Sequence, residues 1–119
     1  MKVLVSVDGS KHSTKAIDYL IKHAAMFEGK GSGLVVLHVQ ADVIPPEVTQ
    51  YIPKKSIADW YADEGKKAVK AATAKLDKAK IQYKLVQKIG HVADTILEES
   101  KASKADMICL LYTSDAADE

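Results

Sequence analysis

The residues best placed to do chemistry are Asp8, Gly9 and Ser10, which follow directly on a run holding Val3, Leu4, Val5 and Val7. Three of those four aliphatics are β-branched, as in a strand covered on both faces. An acid, a glycine and a helix-capping serine at the carboxyl end of such a strand sit where open α/β sheets hold their ligands. The chemistry is recognition: Asp8 as a ligand-contacting acid, and Gly9-Ser10 letting a ligand approach the start of a helix whose dipole favours an anion. The same residues have a plain structural reading, in which Asp8 only ends the strand and Ser10 only caps the next helix.

Other patterns that carry chemistry are absent or incomplete. His12, His23, His38 and His91 lack the i, i+4 spacing of a helical metal pair, and no cysteine or acid cluster completes a site, so no metal is expected. His38 is predicted to be a packed strand residue, with His12 and His91 near the ligand edge. The single cysteine, Cys109, excludes an internal disulfide and a CxxC motif. The run Gly29-Lys30-Gly31-Ser32-Gly33 lacks the spacing of a phosphate loop and precedes a strand where such a loop precedes a helix, so it reads as a flexible connection. There is no GxSxG elbow for a serine hydrolase. A phosphorylatable aspartate of a receiver domain would fall at the end of the third strand, where the chain has Ile89-Gly90. No catalytic residue is assigned.

These residues need elements to position them. Ala16, Ile17, Leu20, Ile21, Ala24 and Phe27 recur at helical spacing, predicting a helix over 11–28 capped by Ser10 or Ser13 and stopped by Gly29. Residues 34–39 form a second aliphatic run interrupted only by His38, a buried parallel strand beside the first. Residues 40–55, with Pro45, Pro46 and Pro53, read as a long loop at the carboxyl edge. A helix is predicted over 57–79, opened by Ser56 with Asp59 in a capping box and buried through Tyr61, Gly65, Ala68, Ala72, Leu76 and Ala79. Its lysine stripe reads as a solvated face. Residues 81–89 alternate, with Ile81, Tyr83, Leu85 and Ile89 inward, as an edge or half-exposed strand. Val92, Ala93, Ile96 and Leu97 mark a third long helix, and 105–111 starts as a fourth strand. The alternation predicts a doubly wound α/β sandwich with a parallel sheet.

At 119 residues the chain suits one domain, and a net charge of +1 offers no field to gather nucleic acid or anionic lipid. No apolar run approaches the roughly 18 residues needed to span a bilayer. Neither nucleic acid nor membrane is expected as a partner, and a cytoplasmic location is.

Four pieces in order resemble the universal stress protein family: Val5-Ser6-Val7-Asp8-Gly9-Ser10, Leu37-His38-Val39, Gly90 with Ala93 and Ile96, and Ala105-Asp106-Met107-Ile108. The resemblance covers about residues 1–108. It implies a Rossmann-like sheet of five parallel strands in the order 3-2-1-4-5, dimers pairing through the last strand and, in one large branch, ATP or a related adenine nucleotide at the carboxyl edge. In those members the acid matching Asp8 lies at the adenine and ribose end, and the residue matching Val39 offers its backbone to the adenine. The resemblance thus makes Asp8, Gly9, Ser10 and Val39 the expected nucleotide-binding residues.

The family holds the phosphates with a GxxG loop followed by G[ST] after the fourth strand, and no glycine follows Gly90 here. Residues 109–119 read instead as one frame of a common transposase sequencing adapter. The expectation is a non-native tail on a domain of residues 1–108, with a fourth long helix and fifth strand missing and ATP binding weak or absent in this chain. Two functions follow: a regulatory, adenine-nucleotide-binding stress-response module with at most slow ATP turnover, or a non-nucleotide dimeric stress protein acting as an interaction scaffold.

Overall fold

A computed structural model describes residues 1–9, 11–29, 31–41 and 45–109. In chain order these form β1 (Lys2–Ser6), α1 (Lys11–Lys22), a 3-10 turn (Ala24–Phe27), β2 (Gly33–Ala41), α2 (Pro46–Thr49), α3 (Lys54–Lys78), β3 (Lys84–Gly90), α4 (Val92–Ala102) and β4 (Met107–Cys109). The four strands make one parallel sheet in the order β3-β2-β1-β4. That is a doubly wound, Rossmann-like α/β arrangement with β1 inside, as the alternation of elements requires. Residues 110–119 lie outside the described residues, so a fifth strand or a tail is not part of this description.

The aliphatic run of β1 is buried on both sides because the sheet carries a helix layer on each face. Val3, Val5 and Val7 pack with Leu34 and Val36 against Ile17 and Leu20 of α1 and Val69, Ala72 and Leu76 of α3. On the other face Leu4 packs with Val35, Leu37 and Val39 against Ile96 of α4. Asp106 locks the amino end of β1: its carboxylate accepts from the Lys2 N–H at 2.7 Å, and its own N–H donates to the Lys2 carbonyl at 2.7 Å.

Several boundaries differ from expectation. The first helix ends at Lys22, not near 28. The His23 N–H is shared between the carbonyls of Tyr19 and Leu20, both at 3.1 Å, and the chain tightens into the 3-10 turn that buries Phe27. Apolar residues three apart serve a 3-10 turn as well as an α-helix, so their spacing does not register the change. Within 40–55, β2 runs on to Ala41 and Pro46 opens the single turn of α2, with Pro45 as its cap. The Ser56–Asp59 capping box does not form. Helix α3 begins at Lys54 after Pro53, whose missing N–H costs nothing at a helix start and whose carbonyl accepts from the Ile57 N–H at 3.2 Å. Val69, not Ala68, is buried with Tyr61, Gly65, Ala72 and Leu76, and Ala79 is exposed.

Both α3 and α4 end in Schellman motifs. The Ile81 N–H donates to Leu76 and that of Lys80 to Asp77; the Ala105 N–H donates to Ser100 and that of Lys104 to Lys101. Lysine occupies the left-handed position each time, at φ +59° for Lys80 and +57° for Lys104. β3 is an edge strand, as its alternation predicts, but it starts at Lys84 and its inward residue is Val86. Leu85 and Ile89 are exposed because α3 lies over β2 and leaves the outer rim of the sheet open. Of the expected α4 stripe only Ile96 is buried; Val92, Ala93 and Leu97 face solvent, since α4 meets the sheet through a single ridge.

Candidate functional site at the carboxyl edge

β1 feeds α1 and then β2 on one side, while β4 lies on its other side and is reached through α4 on the opposite face. The strand order therefore reverses beside β1. Its carboxyl end, carrying Asp8 and Gly9, opens at the topological switch point.

Asp8 is exposed, and a reciprocal pair of bonds holds it. Its N–H donates to Ser13 Oγ at 2.8 Å, and that hydroxyl donates back to Asp8 Oδ1 at 2.6 Å. Ser13 is 3% exposed, so a buried hydroxyl on the first turn of α1 orients an exposed carboxylate. Sequence reading treated Ser13 only as a possible helix cap; the signal available was its five-residue separation from Asp8 across a turn.

Gly9 has φ +83°, and a Cβ there would lie 3.1 Å from Ala68 Cα. Its conformation and the close passage of α3 both require glycine, which explains the residue without a ligand. Ser10 and the side chain of His12 lie outside what is described.

Val39 is nearly buried, with its side chain against the α4 face. The paired register of β1 and β2 ends at Ser6–Leu37, followed by one bond from the Val7 N–H to the Leu37 carbonyl at 2.9 Å. Backbone direction alternates along a strand, so Val39, two residues on, also turns its N–H and carbonyl toward the β1 side. Asp8 and the Val39 backbone thus border one crevice, with an exposed acid at one side and a peptide edge at the other.

His38, directly before Val39 on the same strand, points to the opposite face. It is 5% exposed beneath α3, and burial lowers its pKa below the ordinary 6.5 although the negative charge of Asp8 pulls the other way. The imidazole is neutral at pH 7. His91 caps α4 without a side-chain bond to it and stands exposed, 3.5 Å from Asp94. Cys109 sits in β4 opposite Val5, and burial raises its thiol pKa. Among the described residues no group of three or more histidines, cysteines and acids could hold a metal, and no helix is long and apolar enough to cross a membrane.

A parallel, doubly wound sheet with an acid and an open peptide edge at its switch point has the architecture in which open α/β sheets place their ligands. The chain matches the universal stress protein family over residues 1–114, and it belongs to that family. No curated protein matches it. Among solved structures it is similar to a universal stress family protein from Burkholderia pseudomallei, at TM-score 0.71 and 20% identity over 98% of this chain and 85% of that one. It is also similar to a universal stress protein in complex with cAMP, at TM-score 0.63 and 22% identity over 91% and 73% of the two chains. A third is a universal stress family protein from Arabidopsis thaliana with AMP bound, at TM-score 0.62 and 18% identity over 92% and 75%.

Proposed function

We propose that this chain is an adenine-nucleotide-binding universal stress protein, a regulatory binding module for ATP or a close relative and not a metabolic enzyme. The observation that carries the reading is the exposed Asp8 carboxylate, aimed by buried Ser13 across the crevice from the Val39 backbone. A carboxylate suits ribose hydroxyls, and a peptide N–H and carbonyl together suit the donor and acceptor of an adenine edge. The cAMP and AMP complexes of proteins with this fold support the same ligand class. Asp8 and the Val39 backbone fit the base and sugar. The reading includes a cytoplasmic homodimer that takes neither nucleic acid nor membrane as its partner.

The close passage of α3, which accounts for Gly9 without a ligand, favours a second reading, a dimeric interaction scaffold without nucleotide. Calorimetric titration of AMP, cAMP and ATP decides between them. Saturable binding that Asp8→Ala weakens by roughly tenfold supports the first, at the scale of one to two lost hydrogen bonds. Flat titrations with all three nucleotides overturn it.

A further inference from the structure

Beneath the first half of α3, at the carboxyl ends of β2 and β3, lies a cavity of about 190 Å³ whose lining includes neither Asp8 nor Val39. Its helix wall is made by Ala58, Ala62 and Gly65, spaced four and three residues apart on one face. Such small residues leave a flat slot between helix and sheet. Gly65 is required there: a Cβ would stand 2.7 Å from Gln87 Nε2, so the carboxamide of Gln87 lies directly against the helix. Tyr61 and Ile89 close the sides.

The polar group that singles out this slot is His38. It is 5% exposed, lines the cavity and makes no hydrogen bond to any described residue. Yet among the described residues no sealed side-chain nitrogen or oxygen lacks a partner. The ring nitrogens of His38 are therefore not sealed, and the cavity is the space they face. A buried polar group unpaired within the protein asks for a partner from outside it.

The chemistry of the lining restricts that partner. Lys88 contributes its backbone, because its ammonium crosses to the α4 face and lies 3.7 Å from Glu99. What remains among the described residues is a neutral imidazole, which has one donor and one acceptor, the carboxamides of Gln40 and Gln87, which have both, and the Tyr61 hydroxyl. These described residues carry no charge into the cavity, which disfavours an ion, since none of them repays its desolvation. The volume holds about six waters at about 30 Å³ each, which is the space of a single small ring.

We propose that this cavity binds a small, uncharged, planar ring with adjacent hydrogen-bond donor and acceptor, of the size of a free pyrimidine base, between α3 and the His38–Gln87 edge of the sheet. The site lies on the helix face opposite the α4 side, and its lining shares no residue with the nucleotide reading.

The test titrates cytosine into the full chain, followed by amide and side-chain NMR shifts. The expected result is saturation in the millimolar range, as suits so few atoms, with shifts at Gly65, His38 and the Gln87 carboxamide. Ala62→Leu fills the slot from an exposed helix position and weakens binding by roughly tenfold or more. His38→Phe keeps a ring but no nitrogen, and weakens it by roughly fivefold to tenfold. Toluene, flat but without donor or acceptor, binds more weakly than cytosine. Any of four outcomes overturns the proposal: shifts that do not saturate, which leaves a water-filled cavity only; shifts centred on Asp8 and Val39; wild-type affinity in both variants; or toluene binding as well as cytosine.

Discussion

Removing the Ser13 hydroxyl tests how the edge acid is held. Ser13→Ala deletes the bond from the Asp8 N–H at 2.8 Å and the bond to Asp8 Oδ1 at 2.6 Å. A neutral hydrogen bond contributes about 1 kcal/mol and one to a charged group about 1.5–3 kcal/mol. Asp8 is exposed, so water replaces much of what its carboxylate loses, and the charged bond is set at about 1 kcal/mol here. The variant is expected to lose about 2 kcal/mol of stability, a large share of the roughly 5–15 kcal/mol of an ordinary domain. Asp8→Ala keeps the bond from its own backbone N–H to Ser13 and loses the one from Ser13 to its carboxylate, about 1 kcal/mol. Ser13→Ala should therefore cost about 1 kcal/mol less in the Asp8→Ala background than in the parent, which is the coupling between the two side chains. Urea denaturation of the four proteins measures this, and a loss of 2 kcal/mol moves the midpoint by roughly 1 M. A coupling below about 0.3 kcal/mol refutes the two-bond account.

Three further outcomes follow from the fold. Gly9→Ala adds a Cβ 3.1 Å from Ala68 Cα at φ +83° and is expected to cost about 1–3 kcal/mol; a thermal midpoint within a degree of the parent's would contradict the close passage of α3. Lys80→Gly and Lys104→Gly relieve left-handed lysines in the two Schellman turns and should each stabilise by about 0.5–1 kcal/mol, read as a higher urea midpoint; lower midpoints for both would argue against those turns. His38 has a folded pKa below 6.5, so its neutral form is the one the fold accommodates. Above that pH both states hold it neutral; as pH falls the unfolded chain takes the proton first and stability drops until the folded pKa is passed. Asp8 opposes the shift, Tyr61 is the titratable group facing it from α3, and β3 offers the uncharged Gln87. His38→Phe should flatten that part of the stability profile, and an unchanged slope between pH 7 and the carboxylate range would show that His38 is not its source.

The buried strands were legible because continuous aliphatic runs such as Val3–Val5 and Leu34–Leu37 need cover on both faces, and the crossover rule put the second beside the first; the full strand order came only with the family resemblance. Asp8 was legible for a related reason: an abrupt change from aliphatic to acid marks the carboxyl end of a strand. Less was legible where two structures share one pattern. The apolar spacing through Phe27 suits an α-helix and a 3-10 turn alike, and the alternation of 81–89 could not say which neighbours would cover it. Leu85 and Ile89 look inward by pattern and are open because α3 lies over β2.

By itself, then, the sequence determined the alternation of strands and long helices, the edge character of β3 and the acid at the end of β1, all consequences of local composition and period. The tertiary structure alone decided what touches that acid and its neighbours. Ser13 meets Asp8 because α1 turns back over β1, and Gly9 must be glycine because α3 passes within 3.1 Å of where its Cβ would stand. His38 faces a cavity because α3 carries alanine and glycine where it crosses the end of β2. Such contacts join residues distant along the chain, and their energies depend on how the layers pack, which no local pattern encodes.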